Sequence, residues 1–261
     1  MNQTALITGA SSGIGLEFAK VFASQGYNLV LVARNRERLD TLAFEIKNKF
    51  QVAVEILVKD LSDPAAAVAI YNDTRSLGQQ IDVLVNNAGM GLGGKFTDHC
   101  WADELKLLQV NVMAVSNLCH IFGGEMVKRG AGGILNVSSI AAFLPGPLMA
   151  NYYASKAYVL MLTAGLRNEF KSSGVTVTAL CPGPTHTELF LRSGMSSAQA
   201  AKAHHSLTAA QVASAGYRAL VRDKACVVPG WSNRLLVLAT RLLPLSLLAK
   251  LARSVNRQHP H

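Results

Sequence analysis

Thr8-Gly9-Ala10-Ser11-Ser12-Gly13-Ile14-Gly15 joins two contrasting stretches of this 261-residue chain. Before it, Thr4-Ala5-Leu6-Ile7-Thr8 is an apolar run that reads as a buried first strand. After it, Ile14 to Ser24 has the period of a helix. Glycines at 9, 13 and 15 permit a tight turn, close backbone approach and close helix–strand packing. The helix start then offers free N–H groups and a positive dipole end, which suit a pyrophosphate. A glycine triplet alone is weak evidence. Its place at the first strand–helix junction makes Gly9, Ser11, Ser12, Gly13, Ile14 and Gly15 a candidate phosphate-binding turn.

The alternation continues outward. Tyr27 to Ala33, Val52 to Val58, Ile81 to Asn86, Gly133 to Ser138 and Val175 to Cys181 read as five further strands. Between them lie helical stretches over Arg36 to Asn48, from Asp63-Pro64, over Asp103 to Lys128 and over Asn151 to Ser172. Continuous apolar strands joined by helices predict an α/β fold: a Rossmann-type doubly wound parallel sheet with helices on both faces. No linker, repeat or low-complexity segment divides the chain, so residues 1–261 read as one domain. Ligands are expected at the carboxyl ends of its strands.

The second strand ends Leu31-Val32-Ala33-Arg34. An acid at position 33 would bind a ribose 2′-hydroxyl and repel a 2′-phosphate. Ala33 stands there instead, and Arg34 follows, a residue able to pair with the 2′-phosphate of NADP. Such a charge-assisted contact contributes on the order of 1–3 kcal/mol. Ser12 is not basic and supplies no second cation, so NADP(H) is favoured and NAD(H) stays open.

Tyr152 and Lys156 stand four apart at the start of a helix and project from one face. An ammonium close to a phenol favours the phenolate and lowers its pKa, making a proton donor and acceptor for a carbonyl oxygen. Tyr-x-x-x-Lys alone usually marks only a helix surface. Here Asn136-Val137-Ser138-Ser139 closes the preceding strand with hydroxyls, Asn86-Asn87-Ala88-Gly89 closes the one before, and Asn111 lies on the helix between them.

With these residues in this order, the chain resembles the short-chain dehydrogenase/reductase family over about Thr4 to Thr187. The resemblance implies Tyr152 as general acid/base and Ser139 as the hydroxyl that orients and polarises the substrate oxygen. It implies that Lys156 holds the nicotinamide ribose and lowers the Tyr152 pKa, with Asn111 supporting a water-mediated relay to Lys156. It assigns Asp60 and Leu61 to the adenine region, and Asn87, Ala88 and Gly89 to the adenosine ribose. Pro182, Gly183, Thr185 and Thr187 would border the nicotinamide carboxamide and pyrophosphate. Tyr153 would have no catalytic role. The family's members are commonly homodimers or homotetramers, and the activity implied is hydride transfer between nicotinamide and a carbonyl or secondary alcohol.

Beyond the motifs, residues 184–210 read as a substrate lid; its His204-His205 pair has no Cys or acidic partner at metal-ligand spacing, and His186, which could approach substrate, is a lone loop histidine of a kind more often incidental. Residues 231–261 are leucine-rich and carry Arg234, Arg241, Lys250, Arg253 and Arg257, with Pro244 dividing them. That segment suits a pocket wall, a subunit contact or a peripheral helix on an anionic membrane, and it points to an apolar ketone or acyl-type substrate.

Composition sets outer limits. Half the residues are hydrophobic and 16% are charged, enough for a large core. Lys+Arg number 25 against 16 Asp+Glu, a net charge of +9, yet no basic block interleaved with aromatics suggests nucleic acid. Cys100, Cys119, Cys181 and Cys226 form no CxxC and no metal-like spacing, as expected of isolated thiols in a reducing compartment. No signal-peptide pattern opens the sequence and no uninterrupted apolar stretch reaches a membrane span, so a cytoplasmic location is expected. The competing class is a non-catalytic NADP(H)-binding scaffold or redox sensor; a sensor needs no acid/base relay, and Asn111, Ser139, Tyr152 and Lys156 are all present.

Overall fold

Ala5 and Ile7 point to one side of the sheet and Leu6 to the other, and all three are fully buried. This two-sided burial is why the strands read as unbroken apolar runs. The computed structural model describes residues 2–185 and 207–256. Its strands are β1 (Thr4–Thr8), β2 (Asn28–Ala33), β3 (Val54–Val58), β4 (Val83–Asn86), β5 (Gly132–Val137), β6 (Val175–Leu180) and β7 (Cys226–Val227). They pair in parallel in the order β3-β2-β1-β4-β5-β6-β7, with Leu6 set against Val30 on one side and Leu84 on the other. The two-residue β7, too short to show a period, adds a seventh strand to the six expected.

Helices α1 (Gly13–Ser24), α2 (Arg36–Phe50) and, near the carboxyl end, α7 (Ala209–Val221) cover one face, where Phe18, Phe22, Leu39 and Val212 pack on Ile7, Leu31 and Leu135. Helices α3 (Ala66–Ser76), α5 (Val115–Arg129) and α6 (Ala150–Phe170) cover the other, with Ile70, Leu118, Phe122 and Val159 against Val30, Leu84 and Val177. Two more helices, α8 (Trp231–Thr240) and α9 (Leu245–Asn256), close the described chain.

Three local differences have physical causes. Asp63 does not start a helix; its carboxylate accepts the Ala65 N–H at 2.9 Å in a turn, and α3 begins at Ala66. The stretch expected as one helix over Asp103 to Lys128 is α4 (Trp101–Leu108) and α5 joined by a π-helical turn, Gln109–Ala114. Finally, Trp101–Arg129 is long and apolar enough by length and composition to cross a bilayer, which the sequence reading did not expect. Leu118, Phe122 and Met126 pack on the sheet, as in a core helix.

Candidate active site

Successive strands end around one cleft of about 1140 Å³. Gly9 follows β1, Arg34 follows β2, Asn87 follows β4, Ser138 follows β5 and Pro182 follows β6, and all line it. The chain crosses from the β1–β3 half to the β4–β7 half here, the switch point of a doubly wound sheet. The glycine turn is braced from β4: the Asn87 side-chain amide donates to the Thr8 carbonyl at 2.9 Å, and the Asn87 and Ala88 N–H groups donate to the Thr8 hydroxyl. Gly9 has φ +66°. A Cβ on Gly15 would collide with the Gly9 carbonyl and the Asn87 amide. Gly9, Ser11, Ser12, Gly13 and Ile14 face the cleft, whereas Gly15 is buried beneath it as a packing residue.

At the far end, Arg34 is not a lone cation. Its guanidinium lies 3.7 Å from the Asp60 carboxylate. Burial pushes that carboxyl upward, but the Ser62 N–H and hydroxyl and the Arg34 charge outweigh it and leave Asp60 below its usual value. Arg38 and Lys59 line the same end. The sequence reading missed both; Arg38 lies in the first turn of α2, which starts two residues after Arg34, and that closeness is the signal that would have found it.

At the inner end, Tyr152, Ser139 and Lys156 converge. All three line the cleft, and Lys156 and Ser139 are buried. Ser139 caps a short turn, accepting the Ala141 N–H at 3.1 Å. The Lys156 ammonium donates to the Val137 carbonyl at 3.0 Å and stands 5.9 Å from the Tyr152 ring centre. Asn111, set by the π turn, is buried outside the cleft: it accepts the Met90 N–H at 2.8 Å and donates to the Ser155 hydroxyl at 3.0 Å. Its direct partners are therefore Met90 and Ser155 and not Lys156.

The model of the short chain dehydrogenase family matches residues 3–196. The chain belongs to the short-chain dehydrogenase family. As a member, it is 36% identical over 184 residues to a very-long-chain 3-oxoacyl-CoA reductase of Anas platyrhynchos, an alignment covering 68% of this chain and 58% of that protein. The chain thus spans little more than half the length of that relative. A short-chain dehydrogenase from Sphingobium yanoikuyae, solved in complex with NADPH, is 35% identical with a TM-score of 0.83 and covers 92% of this chain and 93% of its own. One from Burkholderia phymatum, solved with NAD, is 27% identical with a TM-score of 0.80, covering 92% of both chains.

In this short-chain dehydrogenase the electrostatics of the inner site differ from the sequence expectation. Tyr152 was expected to be acidified by Lys156. Burial instead pushes the phenol up to about 12, against a downward pull from the Ser139 hydroxyl. Burial acts on Lys156 as well, and pushes it down to about 8.

The remaining positions divide. Leu61, Ala88, Gly89, Pro182, Gly183 and Thr185 line the cleft, and the Thr185 hydroxyl donates back to the Gly183 carbonyl at 3.0 Å. Thr187, His186, the His204-His205 pair and most of the 184–210 segment lie outside the described residues. Tyr153, set aside by the sequence reading, has a structural partner: its hydroxyl donates to the Asn256 side chain at 3.2 Å, and Asn256 donates to the Pro147 carbonyl at 3.0 Å. This strap holds α9 over the cleft, where Leu251 and Val255 join Leu236 of α8 as an apolar wall.

Proposed function

We propose that this chain is an NADP(H)-dependent oxidoreductase that interconverts a carbonyl and a secondary alcohol, with an apolar ketone or acyl-type compound as substrate. The observation that carries the reading is the meeting of the Tyr152 phenol, the Ser139 hydroxyl and Lys156 at the floor of a cleft whose other end holds a braced glycine turn. The fit of a dinucleotide rests on the same cleft: Gly9, Ser11, Ser12, Gly13 and Ile14 line it where α1 begins, and Gly15 packs beneath them so closely on Gly9 and Asn87 that no Cβ fits there. The 2′-phosphate preference is supported by Arg34 and Arg38 at the adenine end, where Asp60 offsets part of the Arg34 charge and Lys59 is paired with Asp73 at 2.8 Å.

A bound nicotinamide supplies the hydride. The chain's own residues do the rest. Ser139 hydrogen-bonds and polarises the substrate oxygen, and Tyr152 delivers the proton that neutralises it as negative charge grows. Its raised pKa keeps that proton in place at neutral pH, so the phenol is a donor in the reductive direction. Lys156 anchors the ribose side of the site, and Asn111 fixes the Met90 backbone and the Ser155 hydroxyl behind it. The wall of Leu236, Leu251 and Val255, with Leu144 and Met149, excludes water and suits an apolar substituent. The name of the Anas platyrhynchos relative, a 3-oxoacyl-CoA reductase, agrees with that class. A homodimer or homotetramer is proposed to cover Met113 and Met161, exposed on the α4–α6 side.

The test is NADPH oxidation against ketones, aldehydes and acyl thioesters, repeated with NADH. Tyr152→Phe is expected to lower turnover by about a hundredfold or more while NADPH still binds. Cofactor binding without turnover across the whole panel, or wild-type rates in the variant, would overturn the assignment in favour of a nucleotide-binding scaffold.

A further inference from the structure

Helix α8 has an inward, mixed side and an outward, apolar one. One faces the protein: Val237 and Thr240 are buried, and Asn233, half-buried, donates to the Pro229 carbonyl at 2.7 Å. The other faces outward and carries Trp231, Leu235 and Leu238 at i, i+4 and i+7, exposed by 68, 56 and 57%. Leu242 and Leu245 extend the apolar surface through the turn into α9, at 82 and 71% exposure. Arg234 and Arg241 flank the stripe on a common side, each three residues beyond a stripe position. From residue 224 to 261 the chain contains no Asp or Glu, whereas Lys224, Arg234, Arg241, Lys250, Arg253 and Arg257 all occur there.

These two features together select the occupant. A second copy could cover leucines, but antiparallel two-fold pairing of the stripe would set Arg234 and Arg241 of both chains along one rim, and in either sense of pairing this segment offers them no carboxylate. An anionic lipid surface satisfies both features at once. Leucines enter the acyl boundary, the indole of Trp231 sits at headgroup depth, and the guanidinium groups meet phosphates.

We propose that the outward stripe of α8, with Leu242 and Leu245, docks this protein on an anionic membrane surface. The inward side of the same helix contributes Ser232, Asn233 and Leu236 to the cleft. Docking therefore sets the apolar wall of the cleft beside the bilayer, so that a lipid-dissolved carbonyl compound reaches it directly; this last step rests on the reductase reading, whereas the docking does not.

The experiment is co-sedimentation of the full chain with vesicles of phosphatidylcholine alone and of phosphatidylcholine mixed with phosphatidylglycerol, at low and high salt. The wild type is expected to bind the mixed vesicles far more strongly than the neutral ones, and to lose the difference in high salt. Leu238→Glu with Leu242→Glu is expected to reduce partition on the order of a hundredfold. Arg241→Gln is expected to reduce it about fivefold. NADPH binding and circular dichroism verify that each variant is folded, and turnover on a water-soluble ketone reports on the reductase reading separately. Failure of the wild type to bind anionic vesicles overturns the docking whatever the variants do. So does undiminished binding by a folded double variant, or a wild type that ignores vesicles while the double variant sediments as a smaller oligomer, which would assign the stripe to a second copy.

Discussion

Replacing Lys156 by methionine removes a cation from a place that resists holding one. In the folded chain burial lowers the ammonium from 10.5 to about 8. That difference corresponds to about 3 kcal/mol of unfavourable charge burial at pH 7, where the unfolded chain keeps the lysine fully charged in water. The penalty is complete below pH 8, shrinks as pH rises through the interval, and vanishes above 10.5, where lysine is neutral in both states. Wild-type stability should therefore climb from pH 8 toward pH 10. Tyr152, raised from 10.0 to about 12, opposes this trend only above pH 10. Methionine has nearly the same length and titrates nowhere. It also forfeits the bond to the Val137 carbonyl, about 1–3 kcal/mol that does not vary with pH until the lysine titrates. The informative quantity is thus the change in the stability gap. The variant's advantage over wild type should fall by about 2 kcal/mol between pH 7 and pH 10, equivalent to about 4–8 °C in midpoint for a chain of this length. Urea and thermal melts of the cofactor-free proteins at several pH values measure it. A gap that stays constant with pH, or widens, would refute the burial argument.

Other outcomes follow from the same geometry. Arg34→Ala should raise KM for NADPH about tenfold or more and leave KM for NADH nearly unchanged, because the substitution also strands the Asp60 carboxylate beside the 2′-phosphate. Arg34→Ala with Asp60→Asn should recover part of the loss in the same assay. Asn256→Ala unties the Tyr153 hydroxyl and the Pro147 carbonyl, so calorimetry should show a loss of about 1–3 kcal/mol and KM should rise more for bulky ketones than for small ones. In the cofactor-free chain the Tyr152 phenol, pushed up to about 12, should stay protonated through pH 10, checked by ultraviolet difference titration against Tyr152→Phe; a phenolate at residue 152 below pH 10 would contradict the burial argument.

What the sequence made legible was local in the chain. The glycine turn, the strand ends and the Tyr152–Lys156 spacing each occupy a few consecutive residues whose chemistry has one good use. Two-sided burial wrote itself into unbroken apolar runs such as Ala5-Leu6-Ile7, so the parallel sheet followed. What escaped depends on partners far apart. Arg34 meets Asp60 across adjacent strand ends, and Tyr153 meets Asn256 across 103 residues, a separation that no periodicity encodes. The π turn that sets Asn111 inserts no unusual residue, and β7 is too short for a pattern. The pKa directions escaped for a different reason: the spacing of a lysine and a tyrosine reveals their proximity but not their burial.

The two ends of the cleft obey opposite electrostatic logic, and this bears on how the site works. At the adenine end, exposed Arg34 and half-exposed Asp60 keep their charges, because water and each other solvate them. Charge there is available for recognition at little cost. At the inner end, burial opposes charge on both Tyr152 and Lys156, raising one and lowering the other. In a site that resists both phenolate and ammonium, any group able to hydrogen-bond the lysine strongly should raise its pKa again, and a lysine that stays charged to higher pH would then draw the phenol back toward acidity. Such a group would arrive with the ribose of the dinucleotide. The expected acidification of Tyr152 by Lys156 then becomes a property of the loaded cleft, switched on by binding rather than built into the empty protein.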